Sequence, residues 1–114
     1  MVSRTLWAKV LQRDVCCWHC GRIDETLVPQ HRINRGMGGS KLLDVPSNLI
    51  ALCSESNVLM ESNAVFREKA LVNGWKLERF KFPEQTPVYD FMKGDWFLID
   101  DDWNKTLFRV NFGV

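Results

Sequence analysis

Apolar and polar positions divide the first half of the chain into short elements. Four apolar residues recur at helical spacing after Ser3, a residue type that often caps helices, and predict a first helix to about Arg13: Leu6, Trp7, Val10 and Leu11. A tight turn is predicted at residues 14–21. An extended segment is predicted at residues 27–33, on a sheet edge because it contains Pro29, and a short buried strand at residues 49–53.

The second half begins with the clearest helical pattern and then changes to strands. A helix capped by Ser54 or Ser56 is predicted to run to the stop signal Asn73-Gly74, because the apolar residues between them fall broadly on one face. Turn residues then separate four predicted strands, which span residues 75–80, 88–91, 96–99 and 106–110. Together these elements predict an α+β fold.

Composition is that of a small globular protein. The 114 residues suit one domain, and a hydrophobic content of 46% with five Trp and seven Phe excludes a disordered chain. No apolar run approaches the ~20 residues of a membrane span, and residues 1–9 lack the apolar stretch of a signal peptide. We therefore expect a single cytoplasmic domain at residues 1–114, with no membrane partner.

The net charge of +1 conceals an uneven distribution. Residues 1–81 carry 12 basic and 8 acidic side chains, a balance of +4, whereas residues 82–114 carry 3 and 6, a balance of −3. A near-neutral chain argues against a polyanion partner, but a local basic region leaves modest, salt-sensitive nucleic-acid binding open.

Five short motifs follow one another in a recognisable order. They are Cys17-x-x-Cys20, Gln30-His31-Arg32-Ile33, Arg35-Gly-Met-Gly-Gly39, the strand that runs from Asn48 to Cys53, and the helix start at Asn57. In this order they resemble the HNH endonuclease family, and more narrowly the small HNH proteins of bacteriophages. The resemblance covers about residues 14–75 and extends more weakly to the C-terminus.

The resemblance implies a fold and an activity. It implies a ββα-metal (His-Me finger) core at residues 14–75, with an N-terminal helix before it and a C-terminal antiparallel sheet extension at residues 76–114. It also implies metal-dependent DNA cleavage, with His31 as general base, Asn48 as its orienting residue and Asn57 at the third catalytic position. On their own, His31 is more simply an ordinary strand histidine and Asn48 a turn residue.

The metal-binding positions depart from the family pattern. Many members carry Asp or His before the base and His at the helix start, where this chain has Gln30 and Asn57, with Glu61 four residues later. These oxygen donors favour Mg²⁺ or Mn²⁺ over Zn²⁺. The alternatives are that Asn57 caps the helix and Glu61 is a solvated carboxylate.

The cysteines suggest a second, structural metal. Family members with structural zinc usually carry a second Cys-x-x-Cys, of which this chain keeps Cys53 and has Ser56 in place of the partner. Cys17, Cys20 and Cys53 leave a tetrahedral zinc site one ligand short, and His19 or Cys16 could complete it. The alternative is a metal-free turn held by packing. A redox role for Cys17 and Cys20 is disfavoured, because the usual helix N-terminus is missing.

A glycine-rich loop carries the candidate phosphate contacts. Arg32, Arg35 and Lys41 lie around residues 36–40, where glycines would let the backbone approach a phosphate. A flexible loop with solvated cations explains the same composition.

The C-terminal part suggests another kind of partner. Trp96, Phe97 and Trp103 surround residues 100–102, three consecutive Asp, which most simply form a hairpin turn between core strands. They could also bind a host protein. The rival to an endonuclease is therefore a catalytically degenerate scaffold that binds nucleic acid or such a protein.

Overall fold

The structure, a computed structural model, describes residues 2–35 and 41–109. Within them the chain forms three α-helices and two small antiparallel sheets, which confirms the predicted α+β class. The elements are α1 (Arg4–Asp14), β1 (Leu27–His31), β2 (Leu49–Cys53), α2 (Ser54–Ser62), α3 (Ala64–Val72), β3 (Val88–Asp90), β4 (Asp95–Ile99) and β5 (Lys105–Phe108). In the described part, every helix is too short or too polar to cross a bilayer.

The first helix begins where its sequence pattern predicts. Ser3 caps α1, because its hydroxyl accepts a hydrogen bond from the N–H of Leu6 at 3.2 Å. The apolar face of α1 packs on β2, where Val10 forms a buried cluster with Leu49 and Ala51. This packing fixes the helix against the central hairpin.

Strands β1 and β2 form an antiparallel hairpin whose register runs from Leu27 opposite Cys53 to His31 opposite Leu49. All five residues of β2 are buried, as the continuous apolar run predicts. Helix α2 follows β2 directly, so its first turn lies beside the hairpin. The sulfur of Cys53 caps α2 by accepting the Ser56 N–H, and neither predicted serine cap is used.

The prediction of one continuous helix up to Asn73 is wrong, because the chain breaks at Asn63. This residue has an extended backbone (φ −130°, ψ 116°), ends α2 and starts α3. Its side chain accepts a hydrogen bond from the N–H of Phe66 at 2.9 Å. A side chain that caps the next turn competes with continuation of the helix.

The predicted strand at residues 75–80 is also wrong, since this segment is irregular. Trp75 is fully buried in the main core, where its ring stacks on Phe66. Gly74 precedes it with φ +75°, and a Cβ there would lie 2.1 Å from the carbonyl oxygen of Pro87. Burial of Trp75 therefore comes from a tight turn against the next segment.

The remaining strands form the predicted antiparallel meander, in the order β3-β4-β5. Each is close to its predicted position, and Val110 of the last prediction lies outside the described residues. Phe97 of β4 packs against the main core and meets Trp18 edge-on at 6.3 Å. The meander is thus fixed on the turn that carries the first cysteines.

Candidate functional site

The end of β1 carries a histidine–aspartate pair. Nε2 of His31 lies 2.7 Å from Oδ1 of Asp44, and both side chains are mostly buried. A carboxylate can only accept a hydrogen bond, so Nε2 carries the proton. Nδ1 is then the basic nitrogen, and it makes no hydrogen bond within residues 2–35 and 41–109.

Asp44 was not among the residues singled out from the sequence. It lies 13 residues after His31, in the turn before β2, and no spacing rule links the two positions. A carboxylate in a turn that leads back to the partner strand was the available signal. Arg35 shares the same oxygen, since its Nε lies 3.4 Å from Oδ1 of Asp44. His31, Asp44 and Arg35 therefore form one charged group at the hairpin end.

Asn48 is fully buried and organises the chain on both sides of this group. Its Oδ1 accepts the N–H of Ile33 at 2.8 Å, and its Nδ2 donates to the carbonyls of Ile33 and Leu43. Its own carbonyl accepts the N–H of Arg32 at 2.8 Å. These contacts orient the segment that follows His31. They use the side-chain and backbone carbonyl oxygens of Asn48, through which it was expected to orient the imidazole.

Arg32 corrects a prediction, because it has no exposed surface with which to contact a phosphate. Its guanidinium donates to four carbonyl oxygens, which belong to Ser47, Gly74, Pro83 and Thr86. Burial, with a smaller effect of nearby Arg13, lowers the pKa of Arg32 to about 9, so the side chain stays cationic at neutral pH. Arg32 ties the hairpin to the C-terminal half of the protein.

Gln30 and Asn57 are brought together as predicted, but they bind each other. Nε2 of Gln30 donates to the carbonyl of His31 at 2.7 Å, so Oε1 faces and accepts from Nδ2 of Asn57. This pairing uses Nδ2 of Asn57 and leaves its Oδ1 without a hydrogen bond among the described residues. With both polar groups occupied and 5% of its surface exposed, Gln30 positions Asn57 and is not free to serve as the predicted ligand.

Glu61 lies on the last turn of α2, four residues after Asn57, and is exposed. Its carboxylate makes no hydrogen bond or ion pair within the described ranges, and only its backbone carbonyl accepts, from Arg67. Gln30 contacts α2 through Asn57, whereas His31 contacts the turn at Asp44. In the part of the chain described, no hydrogen bond or ion pair joins His31 to Asn57 or Glu61.

The three predicted cysteines converge. The sulfur atoms of Cys17, Cys20 and Cys53 all lie within 4.8 Å of one another, and those of Cys20 and Cys53 are 3.6 Å apart. Sulfur ligands bound at 2.3 Å in a tetrahedral site lie about 3.8 Å apart. The cluster could therefore hold a metal ion. Cys16 is not part of it.

Two polar residues complete the surroundings of the cluster. Oγ of Ser56 lies 3.2 Å from Sγ of Cys53 and 3.0 Å from Nδ1 of His19. Nε2 of the same imidazole lies 3.3 Å from Nζ of Lys69. The two residues adjacent on α2, Ser56 and Asn57, thus face the cysteine cluster and the Gln30 side chain respectively.

The surroundings shift the pKa values of the clustered thiols in different directions. Burial raises the pKa of Cys20 to about 11, with hydrogen bonds to the other two cysteines adding to the effect. Burial alone would also raise the pKa of Cys53, but hydrogen bonds from the hydroxyl and N–H of Ser56 reverse this and lower it. Burial, followed by the charge of Lys69, lowers the pKa of His19. The pKa values of Cys53 and Cys20 are thus shifted in opposite directions.

The glycine-rich loop and Lys41, two of the predicted phosphate contacts, are described only in part. Residues 36–40, the glycine-rich loop, lie outside the described ranges, and so does the side chain of Lys41. Arg35 is the remaining candidate, and it is part of the charged group with Asp44.

The acidic and aromatic residues of the C-terminal part have internal roles. Asp100 accepts hydrogen bonds from Asp102 and Asn104 and closes its own turn, and Asp101 accepts the N–H of Ser47 at 2.9 Å. Trp103 packs beside α1 under the cation of Arg13. The excess of negative charge after residue 81 is thus partly explained by turn closure.

Comparison of the chain with family models, curated proteins and solved structures found no match in any of the three.

Proposed function

We propose that this protein is a metal-dependent DNA endonuclease of the HNH type, built on a ββα-metal core formed by β1, β2 and α2. The observation that carries the proposal is the His31–Asp44 pair, with a hydrogen-bond distance of 2.7 Å at the end of β1. The resemblance of the motifs from Cys17 to Asn57 supplies the family. A bacteriophage origin and a site of action in the bacterial cytoplasm follow from the same resemblance.

His31 acts as the general base. Asp44 holds Nε2–H, so Nδ1 accepts the proton of a water that attacks phosphorus. The carboxylate then stabilises the imidazolium that forms, as in other histidine–aspartate pairs. Asn48 keeps the segment after His31 in place through its two hydrogen bonds to Ile33.

Asn57 and Glu61 hold the divalent cation, Mg²⁺ or Mn²⁺. One carboxylate and one amide oxygen fit such an ion, since Mg²⁺ in phosphoryl enzymes is often bound by one or two carboxylates and completed by substrate phosphate and water. When bound, the cation stabilises negative charge on phosphorus and on the leaving 3′ oxygen. Gln30 fixes the amide of Asn57 through the hydrogen bond between them. Arg35 provides positive charge for a phosphate beside His31.

The cysteine cluster holds a second metal, a structural zinc ion. Thiolates favour zinc over Mg²⁺ or Mn²⁺. Cys17 and Cys20 lie on the turn after α1, and Cys53 ends β2, so a bound ion would fasten the turn to the hairpin.

A second candidate is a degenerate scaffold that binds DNA or a host protein without cutting. The observation that favours it is the hydrogen bond from Asn57 to Gln30, which occupies the Gln30 side-chain oxygen at a position where many family members offer Asp or His to a metal.

Nicking of supercoiled plasmid in Mg²⁺ or Mn²⁺ separates the two candidates. An endonuclease converts the plasmid to open circles, stops in excess chelator, and loses more than about tenfold in rate in Glu61→Gln. Glu68→Gln is the matched control, because Glu68 is an exposed carboxylate on α3. Intact plasmid with every metal, together with retention of labelled DNA on the protein, would favour the binding scaffold.

A further inference from the structure

The cysteine cluster has a fourth polar neighbour. Oγ of Ser56 lies 3.2 Å from Sγ of Cys53 and 4.0 Å from Sγ of Cys17. Oxygen and sulfur ligands at 2.0 and 2.3 Å from a tetrahedral zinc ion lie about 3.5 Å apart. The two observed distances lie on either side of this value. The Ser56 hydroxyl is therefore at the fourth corner of the tetrahedron, the coordination position that three cysteines leave open.

This corner is closed to solvent. Ser56 is 3% exposed, Cys17 is fully buried and Cys53 is 2% exposed, whereas Cys20 forms the outer side of the cluster. On this buried side of the cluster the polar neighbours are Ser56 and His19, and they are the two candidates for a fourth ligand from the chain.

The hydrogen bonds of His19 rule out Nδ1, the nitrogen that faces Ser56, as a metal ligand. The ammonium of Lys69 can only donate, so Nε2 of His19, at 3.3 Å from it, accepts. Nδ1 of the neutral ring then carries the proton and donates it to Oγ of Ser56 at 3.0 Å. A protonated nitrogen has no lone pair for a metal, which leaves Ser56 as the donor.

The ring of His19 is also fixed by packing. Its centroid lies 5.1 Å from those of Phe66 and Trp75, and 5.7 Å from that of Phe91. Turning the imidazole toward the cysteines would break these contacts and both of its hydrogen bonds. The rings of Phe66, Trp75 and Phe91 therefore keep Nδ1–H of His19 directed at the Ser56 hydroxyl.

We propose that Ser56 is the fourth ligand of the cluster, giving three thiolates and one hydroxyl for a borderline divalent cation such as Zn²⁺. His19 and Lys69 are positioning residues for that hydroxyl. The hydroxyl oxygen has two lone pairs, of which one accepts from His19 and the other faces the cation. The inference rests on the zinc proposed for this cluster and adds the identity of its fourth ligand.

X-ray absorption of the purified zinc-loaded protein tests the assignment directly. The expected shell is three sulfur atoms near 2.3 Å and one oxygen near 2.0 Å, without the outer-shell scattering of an imidazole. Ser56→Cys should convert the shell to four sulfur atoms and raise zinc affinity. Ser56→Ala should lower the affinity by about tenfold to a hundredfold, the effect typical of altered metal surroundings.

His19→Phe is the matched variant for the positioning role, because it keeps the ring among its aromatic neighbours and removes both nitrogens. It should weaken zinc binding while the sulfur and oxygen shell stays the same. Circular dichroism of each variant confirms that it is folded. Rescue of affinity by His19→Asn, whose amide can again donate near the Nδ1 position, would support the hydrogen bond as the cause.

Three results would overturn the inference. Imidazole scattering in the wild type that disappears in His19→Phe would make His19 the ligand. Unchanged affinity and an unchanged light-atom ligand in Ser56→Ala would assign the corner to water. Metal analysis that finds no zinc at all would remove the proposed zinc as well, so the two failures can be told apart.

Discussion

Nε2 of His31 and Oδ1 of Asp44 lie 2.7 Å apart and join the end of β1 to the turn that leads into β2. The contact fixes which nitrogen of the imidazole is basic. It also links His31 to a residue 13 positions away in the sequence.

Replacing Asp44 by Asn should slow plasmid nicking by about 10²-fold or more, because an amide no longer stabilises the imidazolium and can favour the wrong tautomer. The loss should be far from additive with His31→Ala, since the two residues act as one unit. Asp95→Asn on β4 is the matched control and should nick at the wild-type rate. An Asp44→Asn protein that nicks as fast as wild type would show that the pair has no catalytic role.

Replacing Arg32 by Met should destabilise the fold by about 3 kcal/mol or more, because it leaves buried carbonyl groups without a donor. Urea unfolding measures the change in the free energy of unfolding. Arg79→Met is the matched control at an exposed position, where a change within about 0.5 kcal/mol is expected. If Arg32→Met folded normally but lost DNA affinity, the sequence-based assignment to phosphate binding would be restored.

Asp100 should make the protein sensitive to acid. A hydrogen bond from the Asn104 side chain, followed by those from the N–H groups of Asn104 and Asp102, lowers the pKa of Asp100. A carboxyl group whose pKa is lower in the folded state stabilises the fold above the unfolded value of about 3.9, and this contribution is lost as pH falls through the folded value. The melting temperature of Asp100→Asn should therefore fall less than that of wild type between about pH 4 and pH 2.

Asp102→Asn is the control for that measurement. Asp102 is an exposed neighbour in the same turn that offers its N–H, and not its carboxylate, to the turn. It should keep the acid sensitivity of the wild type. Equal slopes for all three proteins would show that Asp100 closes the turn without contributing to the pH dependence.

Local signals predicted the elements that depend on local chemistry. Ser3 and the apolar spacing after it predicted α1, and the continuous apolar run predicted β2, because capping and burial are decided there by neighbouring residues. The break at Asn63 was missed because an Asn inside an apolar periodic segment can either continue a helix or cap the next one. Only the packing of α2 against α3 decides between them.

The candidate site was predictable in its members and less so in their roles. The resemblance to the HNH family implied that Cys17, Cys20 and Cys53 converge, and the structure brings their sulfur atoms together. The roles of Arg32 and Asp44 depend on contacts between distant segments. A fully buried arginine is rare, so the sequence favoured an exposed phosphate contact for Arg32. Four carbonyls from distant segments make its burial favourable, and none is visible in its own motif.

The most direct test of the central claim is the nicking of supercoiled plasmid by the wild type and by His31→Ala, purified in parallel and assayed with Mg²⁺ and with Mn²⁺. We expect open circular DNA from the wild type and a rate lower by about 10²–10⁴-fold from His31→Ala, the contribution expected of a general base. Equal nicking by both proteins, or intact plasmid with both, would contradict the assignment of His31 as the catalytic base.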